Sequence, residues 1–156
     1  MTHKQIIAKY GLFIREAAAR YSLKDSLLAA FVMTESSGNE GAVGDANYNG
    51  VVDDGDAFGI TQLRQVAIDD YNTAHGTKWT IKDVARDPRL ALEICAWYLR
   101  AKIKEWNNDL TRGIRAYNQG SGTIRKNPKA GFEYAAKIYM HQVAFTELYL
   151  ANKPQP

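Results

Sequence analysis

LALEICAWYLRAKIKEW, residues 90–106, is the segment whose apolar pattern decides the fold class of this chain. Its apolar residues recur every three to four positions, which is typical of a helix with one buried face. Asp87-Pro88 lies just before the segment and supplies a helix cap and a first-turn proline. The segment therefore predicts a long helix that packs against a core.

The same helical spacing continues over most of the chain. Asp109 can cap a short helix that Gly120 ends, and Asn127-Pro128 predicts the start of the last helical region. The period-two alternation of strands is nearly absent. Two further apolar stripes lie nearer the amino terminus: Ile6, Tyr10, Phe13, Ala17 and Tyr21, then Leu28, Phe31 and Val32. We therefore predict a mainly α fold in a single domain over residues 1–156.

Composition excludes several classes of protein. The formal charge of +3 is mild, and no Lys/Arg-rich run with interleaved aromatics occurs, which argues against a nucleic-acid binder. Residues 1–21 mix apolar and charged residues without the apolar core of a signal peptide, and no segment is long enough to span a membrane. We expect a soluble monomer that is made in the cytoplasm and reaches its substrate by another route.

The cysteine and the histidines give no sign of a metal or redox centre. Cys95 is the only cysteine, and it lies in the apolar stripe of its helix, which favours a buried structural thiol over a nucleophile. His3, His75 and His141 have no ligand-like spacing, so we expect surface or packing roles and no zinc.

Glu35 is the candidate catalytic residue. It follows Phe31 by four residues and Val32 by three, so its carboxyl shares the buried face where the helix ends before Gly38. Loss of water and the negative end of the helix dipole both raise the pKa of a carboxyl there. A carboxyl that is still protonated near neutral pH can act as a general acid on a glycosidic oxygen. The alternative for a lone Glu is a frayed, solvated helix end.

Four motifs in order carry a family resemblance: Glu35-Ser36-Ser37, residues 57–62 (AFGITQ), residues 116–122 (AYNQGSG) and Tyr134-Ala135. Their order and spacing resemble the goose-type lysozyme and soluble lytic transglycosylase (SLT) superfamily over about three quarters of the chain. GITQ stands where that family has a GLMQ-like segment, and AYNQG stands for an AYNAG-like one. The resemblance implies a lysozyme-like helical domain with a glycan-binding cleft, which here carries a long acidic loop.

The resemblance also implies roles for individual residues. Glu35 is the acid, and Tyr134 orients or hydrogen-bonds near it, although Tyr134 could instead be a core aromatic. Amides, phenols and close backbone approach at glycines suit the recognition of sugar hydroxyl and N-acetyl groups. The implied substrate-binding residues are Ser36, Phe58, Gly59, Gln62, Tyr117 and Asn118.

The stretch from Ser36 to Gly59 is rich in Gly, Asn and Asp and contains no Lys or Arg. Within it, residues 45–56 fit a twelve-residue EF-type or dockerin-like calcium loop, with Gly50 at position 6 and Asp instead of Glu at position 12. The predicted ligands are Asp45, Asn47, Asn49, the Val51 carbonyl, Asp53 and Asp56. We expect a structural calcium ion, and the alternative is a solvated acidic loop.

The type of cleavage stays open at this level. Inverting hydrolysis needs a second carboxylate roughly 6.5–9.5 Å from the acid, and Asp53 is the best candidate, although it is also a predicted calcium ligand. Without such a partner, the N-acetyl group of the substrate can assist while Glu35 acts as acid and then as base, which gives a 1,6-anhydro sugar. The slight preference is for a muramidase that hydrolyses the β-1,4 bond between N-acetylmuramic acid and N-acetylglucosamine in peptidoglycan.

Two readings of another class compete with a cell-wall enzyme. One is a non-catalytic glycan-binding or virion structural protein, and intact Glu35, Gln62 and Asn118 argue against it. The other is a calcium sensor, which a single EF-like loop without a paired loop disfavours. A wall-cleaving domain without a signal peptide suggests a phage lysin that a holin releases or a virion carries.

Overall fold

The computed structural model describes residues 1–44 and 56–153. Within them the chain forms eight helices: α1 (His3–Arg20), α2 (Asp25–Ser36), α3 (Gln65–His75), α4 (Ile81–Ala85), α5 (Pro88–Glu105), α6 (Leu110–Gln119), α7 (Ser121–Lys126) and α8 (Phe132–Ala151). The extended pairing in this part of the chain is limited to isolated bridges from Phe58 to Val43 and to Leu63. The predicted helical fold is confirmed.

Helix α2 lies at the centre of the core. Every residue from Ser26 to Met33 is buried, and α1 and α8 pack against this helix. A helix that is apolar all round must be covered on all sides, and α2 has this composition. Burial of each large side chain, such as Phe31, stabilises the fold by roughly 1.5–3 kcal/mol. The last turn of α2 emerges from this core with Glu35.

Most predicted helix ends are confirmed. Asp87 accepts a hydrogen bond from the Leu90 amide at 3.1 Å, and Asp109 accepts one from the Arg112 amide at 2.9 Å. Gly120, with φ of +84°, ends α6. These caps join residues three positions apart, which is why the local sequence identifies them.

The predicted start of the last helix is wrong by several residues. Asn127 closes a turn by accepting a hydrogen bond from the Lys129 amide at 3.0 Å, and α8 begins only after Gly131. Gly131 has φ of +79°, and an added Cβ would lie 3.2 Å from the Arg115 Cβ. The close approach of this turn to α6 therefore sets where α8 begins.

The first predicted stripe needs one correction. Phe13 and Tyr21 are only partly buried, whereas Ile14 is fully buried beside Ile6 and Tyr10. Cys95 is fully buried, as predicted, and burial raises the pKa of its thiol to about 12. Among the described residues, no helix has the length and apolarity that crossing a membrane requires.

Candidate active site

Glu35 occupies the last turn of α2, one residue before the helix ends at Ser36. Ser37 follows in the left-handed conformation, with φ of +52°, and turns the chain away from the helix axis. Burial raises the pKa of Glu35 to about 7, and a hydrogen bond from Tyr134 opposes part of that rise. Near neutral pH this carboxyl therefore exists in both its protonated and its charged form.

Tyr134 reaches Glu35 from the first turn of α8. Its hydroxyl donates a hydrogen bond to Oε1 of Glu35, and its ring packs edge-on against Phe31 at a centroid distance of 6.1 Å. Burial, followed by the charge of Glu35, raises the pKa of Tyr134 well above its usual value. The phenol therefore keeps its proton and serves as a permanent donor to the carboxylate.

Two cavities meet at Glu35. The loop-side cavity, of about 350 Å³, is also lined by Gly44, Gln62, Tyr117 and Asn118. The α8-side cavity, of about 490 Å³, is also lined by Asn118, Lys129, Tyr134 and Lys137. Because Glu35 and Asn118 border both cavities, the two form a groove with Glu35 between its halves. An extended chain of sugars in the groove would place one linkage beside the carboxyl.

Asn118 and Gln62 bring amides to the groove in different ways. Asn118 is an exposed residue near the end of α6. The amide nitrogen of Gln62 instead donates to the carbonyls of Ala42 and Gly59, each at 2.9 Å. An added Cβ on Gly44 would collide with Oε1 of Gln62, so a larger residue there would displace the Gln62 side chain. The side-chain nitrogen of Gln62 thus links the segments that contain Ala42 and Gly59. Its side-chain oxygen remains as a hydrogen-bond acceptor beside the cavity.

Tyr117 lines the groove with its ring, while its hydroxyl turns inward. That hydroxyl donates to the Thr61 carbonyl at 3.1 Å and lies 3.3 Å from Sγ of Cys95. Its ring packs edge-on against Phe31 and Tyr98, at centroid distances of 4.8 and 5.5 Å. The hydrogen-bond partners of this phenol are inside the protein, so the predicted contact of Tyr117 with sugar would be made by its ring. The ring remains as a surface for a sugar face.

Ser36, Phe58 and Gly59 do not line either cavity and instead support the turn of residues 57–63. The Ser36 hydroxyl donates to the Ile60 carbonyl at 2.8 Å. The Phe58 amide donates to the Leu63 carbonyl at 3.1 Å, and the Gly59 amide, at a φ of +81°, donates to the Ala42 carbonyl at 3.0 Å. These bonds hold the turn against the end of α2. The three residues therefore position Gln62, and their predicted contact with sugar stays a prediction.

Sequence reasoning missed Tyr98, Lys129 and Lys137, which also line the groove. Tyr98 follows Cys95 by one helical turn, so the spacing placed both on one face of α5. The contact of that face with Tyr117 could not be inferred from the sequence. The two lysines lie on different elements, the 127–131 turn and α8, and only packing brings them to the same cavity.

The predicted metal ligands Asp45, Asn47, Asn49, Val51 and Asp53 lie outside the described residues. Asp56, the last ligand position, is described and is 5% exposed. Within residues 1–44 and 56–153, no three His, Cys, Asp or Glu side chains form a group that could hold a metal ion.

The histidines are less scattered than the sequence indicated. Nε2 of His3 lies 3.0 Å from Nδ1 of His141, so α1 and α8 bring this pair together. Burial, together with the charge of His3, lowers the pKa of His141. His75 stacks on Tyr71 with a centroid distance of 3.9 Å, which is a packing role, as expected.

Known proteins share this architecture. The X-ray structure of an inactive mutant of the lytic transglycosylase Slt from Pseudomonas aeruginosa superposes with a TM-score of 0.74 at 18% identity. The match covers 94% of this chain and 25% of that protein, so this chain spans about a quarter of its length. A comparison with curated protein sequences finds no significant match. The family model described as Transglycosylase SLT domain matches residues 13–140, and the chain therefore belongs to this family.

Proposed function

We propose that this chain cleaves the glycan strands of peptidoglycan as a lytic transglycosylase and leaves 1,6-anhydro ends. The family match and the fold shared with a lytic transglycosylase favour this reaction over the hydrolysis that the sequence slightly preferred. The observation that carries the proposal is the carboxyl of Glu35, which has a pKa of about 7 and lies between the two halves of a groove.

Glu35 first acts as an acid. Its protonated carboxyl donates a proton to the glycosidic oxygen between N-acetylmuramic acid and the following N-acetylglucosamine. As the C1–O bond breaks, the N-acetyl carbonyl oxygen of the muramic acid residue attacks C1 and forms an oxazolinium ring. The leaving sugar departs with the proton on its new hydroxyl, and Glu35 remains as a carboxylate.

Glu35 then acts as a base. Its carboxylate takes the proton of the C6 hydroxyl of the same muramic acid residue, and the C6 oxygen attacks C1. The bond from C1 to the N-acetyl oxygen breaks, which restores the N-acetyl group and closes the 1,6-anhydro ring. The proton returns to Glu35, so the cycle is balanced without an attacking water.

A single group that must give and then take a proton works best with a pKa near the working pH. Burial raises the pKa of Glu35, and the hydroxyl of Tyr134 stabilises the charged form and limits the rise. Tyr134 therefore supports the first half of the reaction, which leaves Glu35 as a carboxylate. These opposing effects on the pKa of Glu35 suit transglycosylation, in which one carboxyl is both acid and base. A carboxyl that acts only as an acid would not need them.

Mass spectrometry of muropeptides from purified cell walls tests the proposal. We expect muropeptides with 1,6-anhydro ends from the wild-type protein and none from Glu35→Gln with its fold retained. Products with reducing ends would contradict transglycosylation and restore the hydrolytic reading with Asp53 as a candidate base. Absence of any cleavage would contradict the enzymatic assignment itself.

The calcium site is a second proposal and concerns stability. Oxygen donors from side chains and one backbone carbonyl are the ligands that Ca²⁺ prefers, and the six predicted ligand positions from Asp45 to Asp56 offer only these. We expect calcium to raise Tm relative to EDTA, and Asp45→Ala to remove that rise. An equal Tm with and without calcium would contradict the site.

A further inference from the structure

A third cavity, of about 590 Å³, lies outside the groove and is lined by three arginines: Arg112, Arg115 and Arg125. Helices α6 and α7 supply the arginines, while Trp106 at the end of α5 and Phe132 at the start of α8 supply aromatic walls. Asp109 is the one carboxylate among the residues that line it. We call this cavity the arginine pocket, and its excess of positive charge makes it a site for an anion.

Arg115 is the buried member of the set, with 5% of its surface exposed. Its Nε donates to the Ala130 carbonyl at 2.7 Å and its Nη2 to the Pro128 carbonyl at 2.5 Å. Across the described part of the chain, no carboxylate lies within ion-pair distance of it. The Arg115 guanidinium also lies over the Phe132 ring, 4.1 Å from its centroid. Carbonyl dipoles and a ring face leave its charge without a paired carboxylate, which an anionic ligand would supply.

Arg112 and Arg125 stand at the mouth of the pocket, and each side chain is 57% exposed. Their partners are Asp109 at 3.7 Å and Glu105 at 2.8 Å, which are surface ion pairs that a ligand can displace. The Arg112 and Arg125 guanidiniums lie 5.7 and 5.2 Å from the Trp106 ring centroid. Contact with a ring holds a guanidinium by its face and leaves its N–H edge for a carboxylate.

The arginine pocket continues into the groove. Arg112, Arg115 and Asn118 follow one another at intervals of three on α6, so each step advances about 4.5 Å along the helix and turns about 60° around its axis. Asn118 borders Glu35 in both halves of the groove. Phe132 lines both the arginine pocket and the α8-side cavity, which also contains Lys129 and Lys137. Phe132 therefore connects the arginine pocket to a cavity in which the carboxylates Glu35 and Glu133 accompany the two lysines.

We propose that the arginine pocket binds carboxylates of the stem peptide that branches from the muramic acid residue in the α8-side cavity. This inference rests on the proposed function. The sugars of the glycan backbone carry hydroxyl and N-acetyl groups, which are neutral and do not need the arginine pocket. The stem peptide leaves the strand sideways through the lactyl group and carries free carboxylates, which match guanidinium geometry. The pocket selects peptide-bearing strands over bare ones.

The test compares cleavage of two substrates, intact peptidoglycan and glycan strands from which an amidase has removed the peptides. Arg112→Gln/Arg125→Gln removes the two accessible charges and leaves buried Arg115 in place. We expect the ratio of kcat/KM on peptide-bearing strands to kcat/KM on bare strands to fall about tenfold, mainly through KM. Lys82→Gln/Arg86→Gln removes the same charge from α4 and the residue that caps it, and its ratio should equal that of the wild type.

Direct binding provides a readout that does not depend on cleavage. In the Glu35→Gln protein, a free stem tetrapeptide should shift the NMR signal of the Trp106 indole N–H, and the double arginine variant should lose that shift. An equal shift with inorganic phosphate would indicate a general anion site and would overturn the assignment to the peptide.

The outcomes separate the two proposals. Suppose that the wild type cleaves both substrates and that the double arginine variant has the same ratio of kcat/KM values. This result overturns the peptide site and leaves the proposed function intact. A wild-type protein that cleaves neither substrate overturns the proposed function, and the indole shift then decides alone whether the pocket binds the peptide. A peptide that leaves the indole signal unmoved overturns the pocket in either case.

Discussion

The hydroxyl of Tyr134 donates a hydrogen bond to Oε1 of Glu35 across 99 positions of sequence. This bond joins the first turn of α8 to the last turn of α2. It is the described contact that stabilises the charged form of the carboxyl, because burial alone favours the protonated form. The balance of these two effects leads to the first prediction.

Tyr134→Phe should raise the pKa of Glu35 further, by about one unit, because a hydrogen bond to the carboxylate is lost. The alkaline limb of the pH profile of kcat, which marks loss of the Glu35 proton, should shift to higher pH by a similar amount, and kcat near pH 6 should fall by up to about tenfold because a weaker acid slows proton donation. The ring still packs on Phe31, so the fold is retained. Tyr139→Phe is the matched control, since it removes a phenol of the same helix that pairs with Thr111 instead. An unmoved pH profile in Tyr134→Phe would contradict this role.

Glu35 should also make the stability of the fold depend on pH. Its pKa in the folded protein, about 7, lies above the ordinary value of 4.5, so the unfolded chain releases this proton first as the pH rises. The contribution of Glu35 to the free energy of unfolding is therefore fully present below about pH 4.5. It falls by on the order of 3 kcal/mol as the pH rises through 7.

Glu35→Gln should remove this dependence, because the amide does not ionise. The variant should melt at a higher temperature than the wild type at pH 8 and at nearly the same temperature at pH 4.5, as measured by calorimetry at both pH values. A wild-type advantage at pH 8 would show that the carboxylate is well solvated. That result would remove the basis of the proposed chemistry.

Cys95 should be unreactive in the folded protein. Its thiol is fully buried beneath Tyr117, and its pKa of about 12 leaves almost no thiolate at pH 8. A disulfide reagent such as DTNB should therefore label it only at the rate of unfolding, and immediately in guanidinium chloride. Stoichiometric labelling of the native protein within minutes would contradict the packing of α5 against α6.

Gly113→Ala should destabilise the protein by about 1–3 kcal/mol. An added Cβ at this position would lie 2.5 Å from Cγ1 and 2.8 Å from Cα of Ile103, so α5 and α6 would have to move apart. Gly122→Ala is the control within α7, where an added Cβ meets nothing within 4 Å. It should be neutral or should stabilise by about 0.5–1 kcal/mol. Urea unfolding of both variants measures the difference, and equal stabilities would contradict the close contact at Ile103.

Helices and most of their ends follow from local sequence. The spacing of residues 90–106 and the caps Asp87 and Asp109 depend on contacts within one or two turns, which the chain makes wherever it folds. Glu35 could be recognised in the same way, because its place on a buried face is a matter of spacing. The prediction that the last helix starts at Asn127-Pro128 was wrong because a helix cap and a turn that begins with Asn have the same local sequence. The packing of Gly131 against α6 decides between them.

Tertiary structure alone decided what surrounds Glu35. The donor Tyr134, the inward hydroxyl of Tyr117 and the support of Gln62 by the carbonyl of Ala42 each join distant parts of the chain. The arginine pocket needs α5, α6, α7 and α8 to meet before its charges form a set. Sequence determines which chemical groups a chain carries and on which face of a helix they lie. Their mutual distances, and therefore their pKa values and partners, are set when burial of the apolar faces brings the helices together.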